Sequence, residues 1–238
     1  MNRQGGMALL LTLWVLALLG GVLAAVAGTV RLAQHQARWQ QQSAQAVLAA
    51  EAGVSLAVLG LQASSPRLRW LADGQVHEQA FDSAALRVSV RSERGKLDLN
   101  SAPATTMDRF LQAFGADGAS AARLAATLVR QREHSPLRTP EELRPLPGMT
   151  PALYERIAPF ITVWSGQAQP DAALAAAPVA RALGLPRVAG VALEPGQIFT
   201  ITSRARLPDG ARATVRATVL MITAKEGARP YRVLRWQT

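Results

Sequence analysis

The sequence contains no cysteine, which excludes a disulfide framework, any thiolate metal site and a thiol nucleophile. Aromatic residues are scarce at 5%, and histidine occurs only at His35, His77 and His134. These three lie far apart, none has a histidine or carboxylate at metal-motif spacing, and they read as surface side chains. Lysine is confined to Lys96 and Lys225, so nearly all of the 26 basic residues are arginine, against 16 acidic ones, for a formal net charge of +10. That balance suits an anionic partner and equally suits an arginine-rich solvated surface. Carboxylates are grouped only at Glu141-Glu142 and as Asp98 with Asp108, where helix-cap or solvated roles account for them. No Gly-rich phosphate loop and no nucleophile elbow occurs, so no catalytic residue is assigned and neither enzyme activity nor a cofactor is expected.

What is present begins with a run of 24 uncharged residues from Met7 to Val30, mostly Leu, Ala and Val. As a helix it would reach about 36 Å, enough to span a bilayer with some tilt. Ala25-Val26-Ala27 offers an A-x-A-like signal cleavage site, although the apolar run is long for a cleaved signal. Arg3 and the terminal amine on one flank are balanced by Arg31 and Arg38 on the other, so the positive-inside rule leaves orientation open. Leu32, Trp39, Val47, Leu48, Val54, Val58, Leu59 and Leu61 then recur near three- and four-residue spacing, which extends one amphipathic helix to about Ala63. The first breaker is Ser64-Ser65-Pro66. Small residues at Gly20, Gly21, Ala24, Ala25 and Gly28 suit close helix approach in a membrane, and also match ordinary membrane-helix composition.

The leader Gln4-Gly5-Gly6 followed by Met7-Ala8-Leu9-Leu10-Leu11 resembles a type IV prepilin signal. The resemblance implies cleavage by a membrane peptidase between Gly6 and Met7, with Met7 as the N-methylated mature terminus. Most members carry glutamate at the fifth mature position, where this chain has Leu11. That carboxylate is thought to neutralise the terminal amine of a neighbouring subunit above, because uncompensated charge in a bilayer is costly. Among type II secretion pseudopilins, protein K characteristically lacks it and is assigned to the filament tip.

Beyond a Pro- and Gly-containing connection, Leu86, Val88 and Val90 alternate with Arg87, Ser89 and Arg91 as a half-buried strand, and Lys96 to Asn100 reads as a second one after a turn at Glu93-Arg94-Gly95. Asn100 or Ser101 is placed to cap a helix opening at Ala102-Pro103. Helical segments are expected over 103–114, 120–133, 140–143 and 151–161, divided by turns at Gly115, Ser135-Pro136 and Pro147-Gly148. The run from Leu97 through Asn100, Ala102 and Pro103, with Pro136 to Leu143 and Leu146-Pro147-Gly148-Met149-Thr150, resembles the helical insert of protein K pseudopilins. It also resembles helix-hairpin-helix modules that bind DNA. Against DNA, Asp117 sits where a phosphate would, no lysine follows either turn, and Thr150 reads equally as a cap for the helix that Pro151 begins. A short helix near Val179 to Leu183, preceded by Ala177-Pro178, looks like a shortened second half of such an insert. Strands over 198–207, 213–223 and 231–236, separated by Pro208-Asp209-Gly210 and Glu226-Gly227, form a terminal meander.

These readings give an α+β protein. A pilin-like N-terminal helix packs its amphipathic half on an antiparallel sheet, and an all-α helix-hairpin-helix/SAM-like subdomain is inserted. The divisions are a leader at 1–6, a transmembrane helix at 7–30, its amphipathic continuation at 31–63, first strands at 64–100, the insert with its linker at 101–190 and the terminal strands at 191–238. The resemblance implies a minor pseudopilin at the tip of the periplasmic pseudopilus. It would be held in the inner membrane by a single pass, with prepilin peptidase, other minor pseudopilins and the major pseudopilin as partners. Nucleic acid is not expected as a partner; an extracytoplasmic helix-hairpin-helix DNA-binding protein is the alternative. Some protein K relatives bind calcium in the insert, but no set of converging oxygen ligands aligns in this sequence.

Overall fold

The computed structural model describes residues 5–186, 188, 195–222 and 229–238, the side chains of 5–10 and 22–33 excepted. One helix, α1, runs without a break over Gly5–Gln62. No proline occurs before Pro66, so nothing in the chain forces a kink. Five strands form an antiparallel sheet in the order β1-β2-β5-β6-β7: β1 is Asp73–Phe81, β2 Ala84–Ser92, β5 Ile198–Arg206, β6 Arg212–Met221 and β7 Tyr231–Gln237. The fold is α+β with an N-terminal apolar helix and an antiparallel sheet.

The second half of α1 lies across one face of this sheet. Its buried apolar side chains are Ala46, Ala49, Ala50, Val54, Ala57 and Val58, spaced three, one, four, three and one apart, which is one helical stripe. They meet Leu86, Val88 and Val90 of β2, Phe199, Ile201 and Ala205 of β5, and Val215, Ala217 and Val219 of β6. The stripe is made of small side chains, whereas the larger Trp39, Leu48 and Leu59 of the expected apolar pattern point away from the sheet and are 69%, 63% and 64% exposed. Size scales weight leucine over alanine, yet close helix-to-sheet approach selects alanine. Gln34–Gln62 is also the one stretch among the described residues that is long and apolar enough to cross a membrane. Nearly half of its most apolar window is buried, and that burial is on the sheet.

Closest approach is at Gly53, where a Cβ would lie 2.1 Å from the Ser203 hydroxyl oxygen and 3.1 Å from Val88 Cγ2. A hydrogen is all that fits between helix and strands there.

Two expectations for the first strands are corrected. The stretch read as a connection contains β1, an edge strand whose side chains are mostly exposed, so it lacks the alternation that reveals β2. The strand expected over Lys96 to Asn100 is only the two residues of β3, Leu97–Asp98, and it does not join the main sheet. It pairs in parallel with β4, Ile161–Thr162, a non-local partner that local pattern cannot identify.

Between β2 and β5 the chain leaves the sheet and builds a second core. Helices α2, Ala104–Ala113, and α3, Gly118–His134, form a hairpin. A 3-10 turn at Pro140–Leu143 precedes α4, Pro151–Ile157, and α5 is Ala177–Leu183. The single helix expected over 151–161 stops at Ile157, continues as a 3-10 turn at Ala158–Phe160 and becomes β4. Phe110, Met107, Leu124, Leu143, Ile157 and Ile161 form the centre of this core, all under 3% exposed. Val179 and Leu183 of α5 join it, so the stretch after Ser165 closes the same subdomain. The linker positions 187 and 189–194 and the turn at Glu226-Gly227 lie outside the described residues.

The Gly53 contact generates a testable prediction. Gly53→Ala should destabilise the folded protein by about 1 kcal/mol, because overpacking outweighs the roughly 1 kcal/mol that alanine gains in a helix interior. Adding Ser203→Ala, which deletes the oxygen in the way, should restore at least half of the loss. Urea unfolding of the full chain followed by circular dichroism measures both, and an additive double variant would refute the contact.

Candidate assembly site

The candidate functional regions are the N-terminal segment and the helical insert. Gly6 and Met7 lie in the first turns of α1, and the leader residues 1–4 lie outside the described residues. Leu11 is 66% exposed, as is every described side chain around it from Leu11 to Gly21 to varying degree. Where Cβ atoms would stand at Gly20 and Gly21, nothing lies within 4 Å. The side chains of this apolar segment are thus exposed rather than buried.

The insert is rooted by Asp98. It is 1% exposed, so it is not a solvated group, and it lies in β3 rather than at the cap of α2. Oδ1 accepts from the backbone N–H groups of Asn100 at 2.8 Å and Ser101 at 3.2 Å. Oδ2 accepts from the Ser165 hydroxyl at 3.0 Å and the Gly166 N–H at 2.8 Å. One side chain thus holds the start of the insert to its end. The parallel β3–β4 pair continues the join, with Leu99 N–H donating to the Thr162 carbonyl at 2.8 Å.

Asn100 does not cap α2, as the sequence suggested; the cap position is Pro103, which has no side-chain donor or acceptor to offer. Instead its amide spans the insert. Nδ2 donates to the Leu137 carbonyl at 2.8 Å while Oδ1 accepts from the Leu137 N–H at 2.9 Å. A side-chain amide matches a backbone peptide donor for acceptor, which is why asparagine serves here. Ala102 is fully buried, and its carbonyl, with that of Leu99, accepts from Arg132 Nη1 at 2.7 and 3.0 Å. Sequence reasoning missed Arg132 because a lone arginine near a helix end carries no signal of where its long stem reaches. Pro147 and Gly148 occupy the turn before α4, with Gly148 at φ 93°.

Both helix starts that could have received a phosphate are filled from within. Asp117 accepts from the Ser120 N–H at 2.9 Å and caps α3. Those hydrogen bonds to Ser120 hold its carboxyl below the usual value, outweighing desolvation, with Arg123 adding to them. Thr150 accepts from the Leu153 N–H at 3.2 Å and caps α4, as its position before Pro151 suggested. At each of these turns the cap side chain takes a backbone donor that a phosphate would need.

Of the paired glutamates, Glu142 closes a capping box with Thr139, while Glu141 forms an ion pair with Arg235 of β7. The insert is thereby fastened to the last strand of the sheet. A second fastening lies at Gly95, where a Cβ would fall 2.2 Å from the Leu174 carbonyl oxygen. There the segment after β4 folds back, and Asp171 N–H donates to the Arg94 carbonyl at 2.8 Å. His35 and His134 are exposed. His77 instead stacks on Trp70, with ring centroids 4.0 Å apart. No group of three or more histidine, aspartate or glutamate side chains is placed to hold a metal ion among the described residues.

Comparisons with known proteins bear on this arrangement directly. Residues 81–166, which hold β2, the Asp98 node and the insert as far as β4, match the family model for type II secretion system protein K. The crystal structure of the GspK-GspI-GspJ complex from the enterotoxigenic Escherichia coli type 2 secretion system contains a chain with the same fold. The two superpose with a TM-score of 0.60 at 15% identity, over 85% of this chain and 98% of that one. No curated protein matches the sequence.

Removing the node should loosen the insert. Asp98→Ala is expected to lower stability by about 2–4 kcal/mol, since each orphaned buried donor costs roughly 1–3 kcal/mol. Asp98→Asn, which keeps one acceptor oxygen, should lose about half as much. Hydrogen exchange read by mass spectrometry should show the loss of protection concentrated in 97–101 and 161–166; uniform loss across the sheet would contradict a local root.

Proposed function

We propose that this chain belongs to the type II secretion protein K family and is a minor pseudopilin that sits at the tip of the periplasmic pseudopilus and primes its assembly. The observation that carries this reading is the protein K match over β2 and the root of the insert, set within a fold whose helix continues upstream into an uncharged run. That run from Met7 to Val30 would cross the inner membrane once, with the sheet and insert in the periplasm. Gly6 and Met7 flank the bond that a prepilin peptidase would cut, and Met7 would then be methylated.

The tip position is supported by Leu11. A subunit with others both above and below needs a carboxylate for the amine of the next subunit; a subunit with none above does not. An apolar side chain at this position avoids burying an unpaired charge, a cost of about 3 kcal/mol for an acidic group at a bilayer centre. The solved relative was crystallised with two companion proteins of the same system, which supports other minor pseudopilins as first partners, followed by the major pseudopilin. The exposed Leu48 and Leu59 on the outer side of α1 offer those helices an apolar contact.

Two measurements test the proposal. Intact-mass spectrometry and membrane fractionation of chain expressed with and without prepilin peptidase should show peptidase-dependent loss of residues 1–6, with the product still in the membrane. Cleavage after Ala27 and release of a soluble protein would overturn the reading. Leu11→Glu should leave that cleavage intact and reduce co-purification with the other minor pseudopilins; unchanged assembly and secretion at equal protein level would remove the argument for the tip.

A further inference from the structure

The face of the sheet turned away from α1 carries an arginine ladder that the proposed role does not use. Arg87 of β2 lies directly opposite Arg204 of β5. Arg204 pairs with Thr214 of β6, which places Arg216 one diagonal step away. Arg216 pairs with Gln237 of β7, and Arg235 follows at the next diagonal step. Four arginines thus cross four strands on one face, at spacings where like charges repel. With Arg91 and Lys96 they line one cleft of about 240 Å³, whose far wall is the insert at Ala158, Pro159, Phe160 and Ala176.

Carboxylates reach only part of this array. Glu78 pairs with Arg87 in an exposed contact of 3.3 Å. Glu141 pairs with Arg235, and Glu93 pairs with Lys96 at 2.5 Å beneath the floor. Arg91, Arg204 and Arg216 have no ion-pair partner among the described residues. Burial, with Arg235 and Arg204 nearby, lowers the affinity of the Arg216 guanidinium for its proton, yet arginine remains charged at neutral pH. The cleft therefore holds an unbalanced positive charge that folding alone does not explain.

We propose that this cleft binds acidic side chains of an extended polypeptide segment, with carboxylates received by Arg204 and Arg216 and apolar flanking residues laid along the Ala158–Phe160 wall. Arginine forks match carboxylates in a bidentate geometry that lysine cannot offer. The volume suits one or two such side chains. A nucleic acid strand is disfavoured because Glu78 and Glu141 stand near the outer arginines and would repel its repeated phosphates. A free anion would leave the apolar wall unused. The proposal does not depend on the tip position.

The test uses the full chain in detergent micelles and fluorescence anisotropy of a labelled peptide holding two glutamates between leucines. Binding is expected, weakened at least about tenfold when glutamine replaces glutamate, and weakened similarly in the Arg204→Gln/Arg216→Gln double variant. Because that variant removes repulsion, its thermal midpoint should stay equal or rise; a structural array would instead lose stability. Thr202→Glu, which places a carboxylate opposite Arg216 from within, gives a second variant that should raise the midpoint and abolish peptide binding. Equal binding of the glutamine peptide, or unchanged binding in both variants, would overturn the proposal. So would full competition by inorganic phosphate at the peptide's own affinity, which marks a free-anion site. Tighter binding of a single-stranded oligonucleotide, lost in the same variants, would assign the cleft to nucleic acid instead.

Discussion

The carboxylate of Asp98 gathers donors from residues 100–101 and 165–166, and so fixes where the chain leaves the sheet and where it returns. β2 and β5 are hydrogen-bonded neighbours, Ser92 facing Phe199 and Ala85 facing Arg206, although about a hundred residues separate them. Closing so long a loop costs little more than closing one half its length, since the entropy grows only with the logarithm of length. What the pairing requires is that the two ends emerge together. Asp98, the β3–β4 pair and the Asn100–Leu137 amide exchange meet that requirement at the base of the insert, leaving the helices beyond free to pack their own core.

With its base fixed, the insert folds back over the second face of the sheet and changes the environment there. Thr200 and Thr218 belong to the face opposite α1, yet they are 8% and 2% exposed. Under them Glu93 is buried, and its carboxylate accepts from Lys96 Nζ and the Thr200 hydroxyl, each at 2.5 Å. A charge pair in such a place loses hydration, which its mutual attraction offsets only when further hydrogen bonds are present. Thr200 supplies them by donating to Glu93 while accepting from Lys96 at 2.8 Å. The Glu141–Arg235 pair performs the corresponding role at the other edge, so polar contacts border the region that the insert covers and the arginine cleft opens where that cover ends.

How much of this was legible in the sequence depended on whether the signal was local. The alternation of Leu86 to Arg91 and of Arg212 to Val219 revealed β2 and β6, because each strand has one packed and one open face. The cap at Thr150 was readable for the same reason: cap and helix lie within a turn of each other. β1 was missed because an edge strand with both faces largely wet shows no period of two. Asn100 was assigned to a cap because its partner, Leu137, lies 37 residues away, and the pairing of Leu97–Asp98 was not legible because β4 is more remote still. The stripe on α1 was read only in part, since Val54 and Val58 belong to it but Trp39, Leu48 and Leu59 do not. Apolar periodicity favours the large side chains, whereas packing chose the face on which alanine and glycine let the backbone come close.

That choice also explains how one helix can serve two surroundings. A helix that seated its leucines on the sheet would stand further off and present alanines outward. Here Gly53 and the alanines are consumed by the sheet, so Leu48 and Leu59 remain outside, on the same rod whose upstream part is uncharged from Met7 to Val30. α1 is continuous over Gly5–Gln62 with no proline, so that upstream segment and the half packed on the sheet are one helix. Under the proposed role, neighbouring helices would grip the apolar half of the same rod that carries the sheet.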